Sequence, residues 1–147
     1  MDAEIFDMDG TMCDVSGIRH YVTGETRNFH KFHTESVNCP TNPEVVEAAK
    51  RAHSEGRAVL IVTAREFRFA FHTMFYLSGA GVEYEQMYMR RTNDFRKDYE
   101  VKKEILDLIR ADGYNVVRAW DDNPNVIRLW EEEGIPDIRV VEGFGFE

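Results

Sequence analysis

The chain has 147 residues, 43% of them hydrophobic, and a formal net charge of −9 at pH 7. This length suits one globular domain with one core, and no apolar run approaches the roughly 20 residues that a membrane-spanning helix needs. The acidic balance argues against broad, non-specific adhesion to nucleic acid, although residues 57–103 hold nine Lys/Arg and six Asp/Glu and could bind a compact anion. The N-terminus lacks a signal-peptide pattern, and Cys13 and Cys39 are too few for a disulfide framework. We therefore expect a single cytoplasmic domain, 1–147, without membrane contact.

Strand-like and helix-like segments alternate along the chain, which predicts an α/β domain with a mostly parallel sheet. Predicted strands cover residues 3–7, 58–62, 84–89, 116–120 and 138–141, and predicted helices begin near 42, 67, 99 and 123. Two of these helices begin with an Asn-Pro pair, in which Asn can cap the helix and Pro suits its first turn. In the helix over 99–111, the apolar stripe expected to face the core consists of Val101, Ile105, Leu108 and Ile109.

Residues 12–41 show no convincing period and are too many for a plain loop. We predict that they form a small flap or hairpin over the site, and that the protein has no large cap. Within this segment His30 and His33 could share a zinc ion with Cys39, but their spacing matches no strong zinc pattern. The zinc site is therefore the less favoured interpretation of these side chains.

Polar side chains follow three of the apolar strands, at Asp7, Thr63 and Asp121. Because the carboxyl ends of neighbouring parallel strands meet at one edge of a sheet, we expect these residues to converge there. The first of them opens the motif Asp7-Met8-Asp9-Gly10-Thr11. Two carboxylates at a buried strand end repel each other, and a magnesium ion relieves that conflict. A carboxylate can also attack phosphorus, whereas the structural alternative is an Asp-Gly turn that closes a hairpin.

Three later positions fit phosphate chemistry. Thr63 offers a hydroxyl and a backbone N–H to a phosphoryl oxygen. Lys102 lies in the first turns of a helix, where a positive charge is unfavourable because it opposes the helix dipole. Binding a phosphoryl anion would explain a lysine at this position, and an ordinary solvated lysine is the alternative. The adjacent carboxylates of Asp121 and Asp122 repeat the conflict of the first motif, and a metal would again relieve it.

In this order, the first motif, Thr63, Lys102 and Asp121-Asp122 resemble the four motifs of the haloacid dehalogenase superfamily of phosphatases, over essentially the whole chain. The resemblance implies an α/β, Rossmann-like fold with a parallel five-stranded sheet in the order 5-4-1-2-3. It also implies Asp7 as the nucleophile and a metal ligand, and Asp9 as a general acid/base that binds magnesium through its backbone carbonyl.

The same resemblance gives roles to the later motifs. Thr63 and Lys102 would hold the transferring phosphoryl group. Asp121 and Asp122 would serve the metal, and the sequence leaves open which of the two contacts it directly.

A closer resemblance is to the phosphatase domain family of bacteriophage polynucleotide kinase, carried by Val62-Thr63-Ala64-Arg65, by Arg96-Lys97-Asp98 with Val101-Lys102-Lys103-Glu104-Ile105, and by Asp121-Asp122. That family often has Ser where this chain has Thr63, and its further arginine matches Arg19 only with a spacing that is one residue off.

The residues that the resemblance and the motifs suggest for substrate binding are Arg65, Asp98, Arg19, Thr11 and Arg96. No G-x-x-x-x-G-K-[ST] loop occurs, so no kinase activity is inferred, and the chain is either a free-standing phosphatase or one domain of a longer protein.

The activity implied is a magnesium-dependent phosphomonoester hydrolase that removes 3′-phosphates from DNA or RNA ends through an aspartyl-phosphate on Asp7, with a kinase domain as a possible partner. An open cleft would let arginines meet backbone phosphates. Flap aromatics such as Tyr21, Phe29 and Phe32 could stack on a terminal base, although packing of the flap onto the core is the favoured interpretation. Phosphatases of small nucleotides or other metabolites remain an alternative, as does a non-catalytic module that grips phosphorylated ends.

Overall fold

Five parallel strands form the centre of the fold in a computed structural model that describes residues 1–23 and 26–144. The strands are β1 (Asp2–Phe6), β2 (Ala58–Glu66), β3 (Gln86–Arg90), β4 (Asn115–Asp121) and β5 (Asp137–Val140). The helices are α1 (Phe29–Glu35), α2 (Pro43–Ser54), α3 (Ala70–Gly79), α4 (Asp98–Ala111) and α5 (Pro124–Glu132), with short 3-10 turns at Arg19–Tyr21, Ser36–Asn38 and Phe67–Phe69. The sheet order β3-β2-β1-β4-β5 confirms the predicted α/β class and strand order.

Side chains alternate between the two faces of the central strands, so each face has its own core layer. On one face Phe6 and Ile61 pack with α2, α3 and the buried ring of Phe32 from α1. On the other face Ile5 and Leu60 pack with α4 and α5. Near-continuous apolar strands are what a parallel sheet covered on both faces requires.

The segment 12–41 contains helix α1 and, in its described residues 12–23 and 26–41, no strand of a hairpin, which was the second possibility. Its two ends are joined, because Cys13 pairs with Thr41 in an isolated antiparallel bridge and the backbone N–H of Asp14 donates to Pro40 O at 2.9 Å. The ring of Phe32 is buried in the core, whereas Phe29 remains about half exposed. The flap is therefore tied to the domain at its base and at one aromatic anchor.

Local details differ from the sequence-based expectations at two helices. The stripe predicted for α4 is wrong at one position, because Leu108 is largely exposed and Leu106 is fully buried in its place. The aromatic segment after β2 begins with a 3-10 turn before α3 starts at Ala70. No helix in the described ranges combines the length and the apolar character needed to cross a bilayer.

Candidate active site

Asp7 lies at the point where β1 ends, beside the carboxyl end of β4. Its backbone N–H donates to Trp120 O at 3.0 Å, which aligns the two strand ends. The turn that follows uses Gly10 at φ 83°, a left-handed conformation that glycine adopts without strain. Met8 and Met12 anchor this turn in the core, since both side chains are fully buried. The Asp7 carboxylate is thereby fixed at the base of a cleft.

Both oxygens of the Asp7 carboxylate accept a hydrogen bond. Oδ1 accepts from Lys102 Nζ at 3.0 Å, and Oδ2 accepts from Thr11 Oγ1 at 3.0 Å. Burial and the nearby charge of Asp121 raise the pKa of Asp7 well above its usual value, and the Lys102 ammonium only partly opposes this. Thr11, which was predicted to bind substrate, lies against Asp7, the predicted nucleophile.

Lys102 connects the ends of two neighbouring strands. Its Nζ donates to Asp7 Oδ1 and, at 2.6 Å, to Asp121 Oδ2. Burial alone would lower the pKa of this lysine, but the two carboxylates raise it, so the side chain is an ammonium at neutral pH. Lys102 opposes the helix dipole near the start of α4, and its contacts with Asp7 and Asp121 account for a positive charge at this unfavourable position.

Asp7, Asp121 and Asp122 each offer a carboxylate oxygen, and these oxygens lie within 4.8 Å of one another. Asp121 Oδ1 accepts the backbone N–H groups of Asp122 and Asn123, at 2.8 and 3.1 Å, which fixes its orientation. Burial and Asp121 raise the pKa of Asp122 to about 6. Three crowded carboxylates with a single ammonium between them are a donor set of the kind that Mg²⁺ prefers.

Asp9 is held by Arg65, which comes from the end of β2. Arg65 donates from Nε to Asp9 Oδ2 at 3.0 Å and from Nη2 to Asp9 Oδ1 at 2.6 Å, a bidentate pair. Burial would raise the pKa of Asp9, but the Arg65 charge and these hydrogen bonds hold it below its usual value. The remaining Nη1 donates to Thr73 Oγ1 at 3.0 Å, and that hydroxyl donates to Phe69 O at 3.0 Å. Arg65, predicted to bind substrate, therefore lies beneath Asp9 with a side chain that is only 1% exposed.

The flap adds a histidine beside Asp9. His33 Nδ1 lies 4.0 Å from Asp9 Oδ2 and finds no hydrogen-bond partner in the described part of the chain. Burial lowers the pKa of His33 to about 4, so the imidazole is neutral at pH 7. Within residues 1–23 and 26–144, His30, His33 and Cys39 do not form a metal-binding group. His33 drew attention in the sequence only as a zinc ligand, because its contact with Asp9 spans 24 residues.

Thr63 is buried near the end of β2, and its Oγ1 accepts the backbone N–H of Arg65 at 3.2 Å. The pairing of β2 with β3 shifts register between Thr63 and Glu66. Such an irregularity re-aims the side chains next to it. In this strand it turns Arg65 toward Asp9.

Arg90, which the sequence did not single out as a site residue, organises the segment between β3 and α4. Its buried guanidinium donates to Asp98 Oδ1 at 2.6 Å, to Ala64 O at 2.8 Å and to Asp94 O at 3.0 Å. It also donates to Arg96 O. Asp98 was predicted to bind substrate. In the structure its carboxylate accepts a hydrogen bond from Arg90 and so helps to hold the segment between β3 and α4 in place.

The two remaining predicted substrate ligands lie at the surface. Arg96 lines the cleft and pairs with Asp94 at 2.7 Å. Arg19 lies exposed on the 3-10 turn of the flap, outside the residues that line the cleft. The structure thus brings Asp7, Asp9, Thr11, Arg65 and Lys102 together with Asp121 and Asp122, and leaves Arg19 apart from them.

The cleft above these residues has a volume of about 1170 Å³ and is open to solvent. Its base contains Asp7, Asp9, Lys102 and the Asp121–Asp122 pair at the end of β4, and its walls come from the flap and from the segment between β3 and α4. The cleft thus holds a carboxylate at the end of β1, a second carboxylate with a fixed orientation and a buried ammonium, and phosphoryl transfer through an acyl-phosphate uses groups of these kinds.

The fold and the sequence were compared with those of known proteins. Two structures of the Pnkp1/Rnl/Hen1 complex, an RNA repair complex, contain a chain that is 27% identical, with TM-scores of 0.80 and 0.84 and 99% of this chain covered. A protein of the Autographa californica nuclear polyhedrosis virus, provisionally named as a bifunctional polynucleotide kinase/RNA ligase, is 25% identical over 70% of this chain. The class C acid phosphatase from Bacillus anthracis with tungstate bound, 14% identical with a TM-score of 0.69, covers 98% of this chain, is matched over 68% of its own length, and shares the fold.

The chain spans less than half of these closer relatives: 43% and 46% of the matched chains in the complex, and 17% of the viral protein. A family model of the polynucleotide kinase PNKP phosphatase domain matches residues 1–144. The chain therefore belongs to the family of PNKP phosphatase domains within the haloacid dehalogenase superfamily, and it is a phosphatase.

Proposed function

We propose that this phosphatase removes 3′-phosphates from the ends of DNA or RNA through an aspartyl-phosphate on Asp7. The observation that carries the proposal is the buried Asp7–Lys102–Asp121 group at the base of an open cleft. The family of polynucleotide kinase phosphatase domains and the similarity to a chain of an RNA repair complex support a nucleic-acid end as the substrate.

In the first step an Asp7 oxygen attacks phosphorus, the bond from phosphorus to the 3′ oxygen breaks, and the leaving oxygen takes a proton from Asp9. Burial alone would raise the pKa of Asp9, but the charge and hydrogen bonds of Arg65 lower it, so Asp9 is ionised before substrate binds. A phosphate dianion that enters the cleft adds negative charge next to this carboxylate, which raises its pKa and favours the protonated form. Lys102 and the hydroxyl of Thr63 stabilise the charge on the transferring group.

In the second step Asp9 is the base. It takes a proton from water, the water oxygen attacks phosphorus, and the bond to Asp7 breaks to release phosphate. The bidentate contact with Arg65 fixes the orientation of Asp9 for this transfer, because both carboxylate oxygens are held. The second step leaves Asp9 protonated, and it becomes a carboxylate again when phosphate departs and this proton passes to solvent.

The residues at the site fit a magnesium ion. Asp7, Asp121 and Asp122 would hold it with carboxylate oxygens, and the resemblance adds the backbone carbonyl of Asp9. Burial, and after it the charge of Asp121, raise the pKa of Asp7 and of Asp122, and a cation between these carboxylates would offset both effects. When bound, the ion supplies positive charge that offsets the carboxylates and the phosphoryl oxygens.

A substrate panel tests the proposal. With Mg²⁺ present, we expect phosphate release from a 3′-phosphorylated oligonucleotide to exceed release from 3′- or 5′-mononucleotides at equal concentration by about tenfold or more in kcat/KM. A remote part of the substrate that binds in the open cleft raises this ratio. If mononucleotides are preferred, the mechanism at Asp7 remains and the end-repair role is lost.

Replacing Arg65 with alanine tests whether this residue acts through Asp9. We expect kcat/KM to fall about 10²-fold for an oligonucleotide and for a small aryl phosphate alike, since general acid–base catalysis contributes 10² or more. Thermal unfolding should also show a loss of about 3 kcal/mol, because Asp9 keeps a part-buried charge without its partner.

The control for this experiment is Arg68→Ala, an exposed arginine of the same cleft wall that pairs with Glu66. It should leave the aryl phosphate reaction unchanged. A loss at Arg65→Ala that is confined to the oligonucleotide would instead support the direct substrate contact implied by the resemblance. Should Arg65→Ala fail to fold, Arg65→Lys, which cannot form the bidentate pair, gives the same comparison.

We also propose that the domain acts beside a kinase or ligase activity, because the viral relative is a longer protein provisionally named as a polynucleotide kinase/RNA ligase and the other matched chain belongs to an RNA repair complex. A cytoplasmic setting is consistent with the two free thiols of Cys13 and Cys39.

A further inference from the structure

An aromatic ring projects into solvent at the mouth of the cleft. Phe95, in the segment between β3 and α4, is 83% exposed and lines the same cleft as Asp7 and Lys102. Exposed phenylalanines occur singly on many protein surfaces without a role. The backbone that carries Phe95, however, is fixed in an unusual way.

The carbonyl groups on both sides of Phe95 bind the same side chain. Arg90, which is buried, donates to the carbonyl oxygens of Asp94 and of Arg96. The Asp94 carboxylate in turn accepts the backbone N–H of Arg96 at 3.1 Å and its guanidinium at 2.7 Å. Because Arg90 is itself bound to Ala64 O and Asp98, the backbone on both sides of Phe95 is held in place at the mouth of the cleft. A ligand that stacks on this ring therefore does not have to order the backbone that carries it.

A second exposed ring lines the same cleft from the flap. Phe29 is the first residue of α1 and is 52% exposed. The helix that carries it is fixed by Phe32, which is buried in the core. The cleft therefore presents two aromatic rings on two separately anchored elements above one nucleophile.

The charges of the cleft suggest that base stacking contributes more to nucleic-acid affinity than contacts with the phosphate backbone do. Its four arginines each pair with a carboxylate: Arg65 with Asp9, Arg68 with Glu66, Arg90 with Asp98 and Arg96 with Asp94. The whole chain carries a net charge of −9. Paired cations release few counterions from a nucleic acid, so the phosphate backbone supplies little of the binding.

We propose that Phe95, together with Phe29, forms a stacking subsite for the base of the nucleotide whose 3′-phosphate reaches Asp7. This inference rests on the proposed function, because it requires a substrate that carries a nucleobase. Aromatic faces stack on all bases without reading their hydrogen-bonding edges, so the subsite tolerates any terminal sequence. The sequence points to Phe29 as a residue that could stack on a base but not to Phe95, which is a lone aromatic residue in a polar segment.

The test compares Phe95→Ala with Phe71→Ala. Both rings are 83% exposed, but Phe71 lies on α3 and does not line the cleft. Each variant is assayed on two 3′-phosphorylated oligonucleotides of equal length, one with a normal last residue and one whose last residue is abasic. Alanine substitution of a stacking ring weakens binding by a factor of about 5 to 100 per base.

We expect Phe95→Ala to lower kcat/KM on the normal oligonucleotide by about tenfold and on the abasic one by less than about twofold, with a smaller selective loss for Phe29→Ala. Phe71→Ala should change neither. Equal losses on both substrates, or no loss at Phe95→Ala, would overturn the stacking subsite. The slope of log kcat/KM against log salt concentration should be shallow and the same in wild type and in Phe95→Ala, and a change in that slope would point to phosphate contacts instead.

The failure of this inference can be told apart from the failure of the proposed function. If the wild type prefers mononucleotides, the end-repair proposal fails, and the same variants are then compared on a nucleoside 3′-phosphate and a base-free ribose phosphate. If no nucleotide is hydrolysed at all, anisotropy of a labelled 3′-phosphorylated oligonucleotide on the Asp7→Asn protein decides. An affinity that does not depend on Phe95 in that measurement overturns the subsite.

Discussion

Replacing Asp7 with asparagine is expected to abolish phosphate release, with a fall in kcat on the order of 10⁴-fold or more for every substrate, as for the loss of other covalent nucleophiles. The amide of asparagine cannot form the aspartyl-phosphate, and among residues 1–23 and 26–144 no other carboxylate accepts hydrogen bonds from both Lys102 and Thr11. Rapid quench of the wild type with a ³²P-labelled substrate should trap label on the protein, and the Asp7→Asn protein should remain unlabelled.

The fold should survive this change. Burial and Asp121 already disfavour the charged form of Asp7, so a neutral amide of the same shape removes a repulsion while Lys102 keeps its bond to Asp121. The control is Asp14→Asn, a nearby carboxylate that binds Ser16 and does not line the cleft; it should leave kcat unchanged. An Asp7→Asn protein that is folded and retains a tenth of the wild-type activity would refute the assignment of the nucleophile.

Removing divalent cations is expected to stop the reaction. We expect excess EDTA to lower kcat about 10³-fold or more and added Mg²⁺ to restore it, because the ion offsets several kcal/mol of charge in the transition state. Asp122→Asn should raise the Mg²⁺ concentration needed for half-maximal rate. Full activity of a thoroughly chelated enzyme would exclude the metal from the mechanism.

Thermal unfolding offers a second measurement of the metal site that does not depend on turnover. The folded-state pKa of Asp122, about 6, lies above its usual value, so this group favours the folded state at low pH and that contribution is lost as pH rises from about 4 through 6. Asp7 is shifted in the same direction. Metal binding requires the deprotonated carboxylates, so Mg²⁺ should raise Tm more at pH 7 than at pH 4.5. An equal shift at both pH values would place the ion elsewhere.

The sequence predicted the elements and the strand ends of this fold well, because each depends on local patterns. Apolar runs with β-branched residues marked the strands, and Asn-Pro pairs marked the starts of α2 and α5. The strand order did not follow from these patterns, and it was predicted only through the resemblance to a family. The roles of the individual site residues likewise remain predictions until variants are assayed.

What the sequence did not reveal lies in contacts between distant segments. The pair of Asp9 with Arg65 joins residues that are 56 positions apart, and nothing local distinguishes such an arginine from one that meets substrate. In α4 the stripe of Val101, Ile105 and Ile109 was correct, but leucines flank it on both sides. Leu106 became buried and Leu108 exposed because of where the neighbouring elements pack, which a single helix does not encode.

The hydrogen-bonded series from Phe69 O through Thr73 Oγ1 and Arg65 to Asp9 makes the position of the proposed acid/base carboxylate depend on a hydroxyl group in the interior of α3. Valine fills nearly the same space as threonine, so an engineer who ranks core substitutions by retained melting temperature would accept it at position 73. The exchange would nevertheless remove the hydroxyl that accepts the hydrogen bond of Arg65 Nη1. In this enzyme, selection for stability alone can therefore erode activity from a position that never meets the substrate.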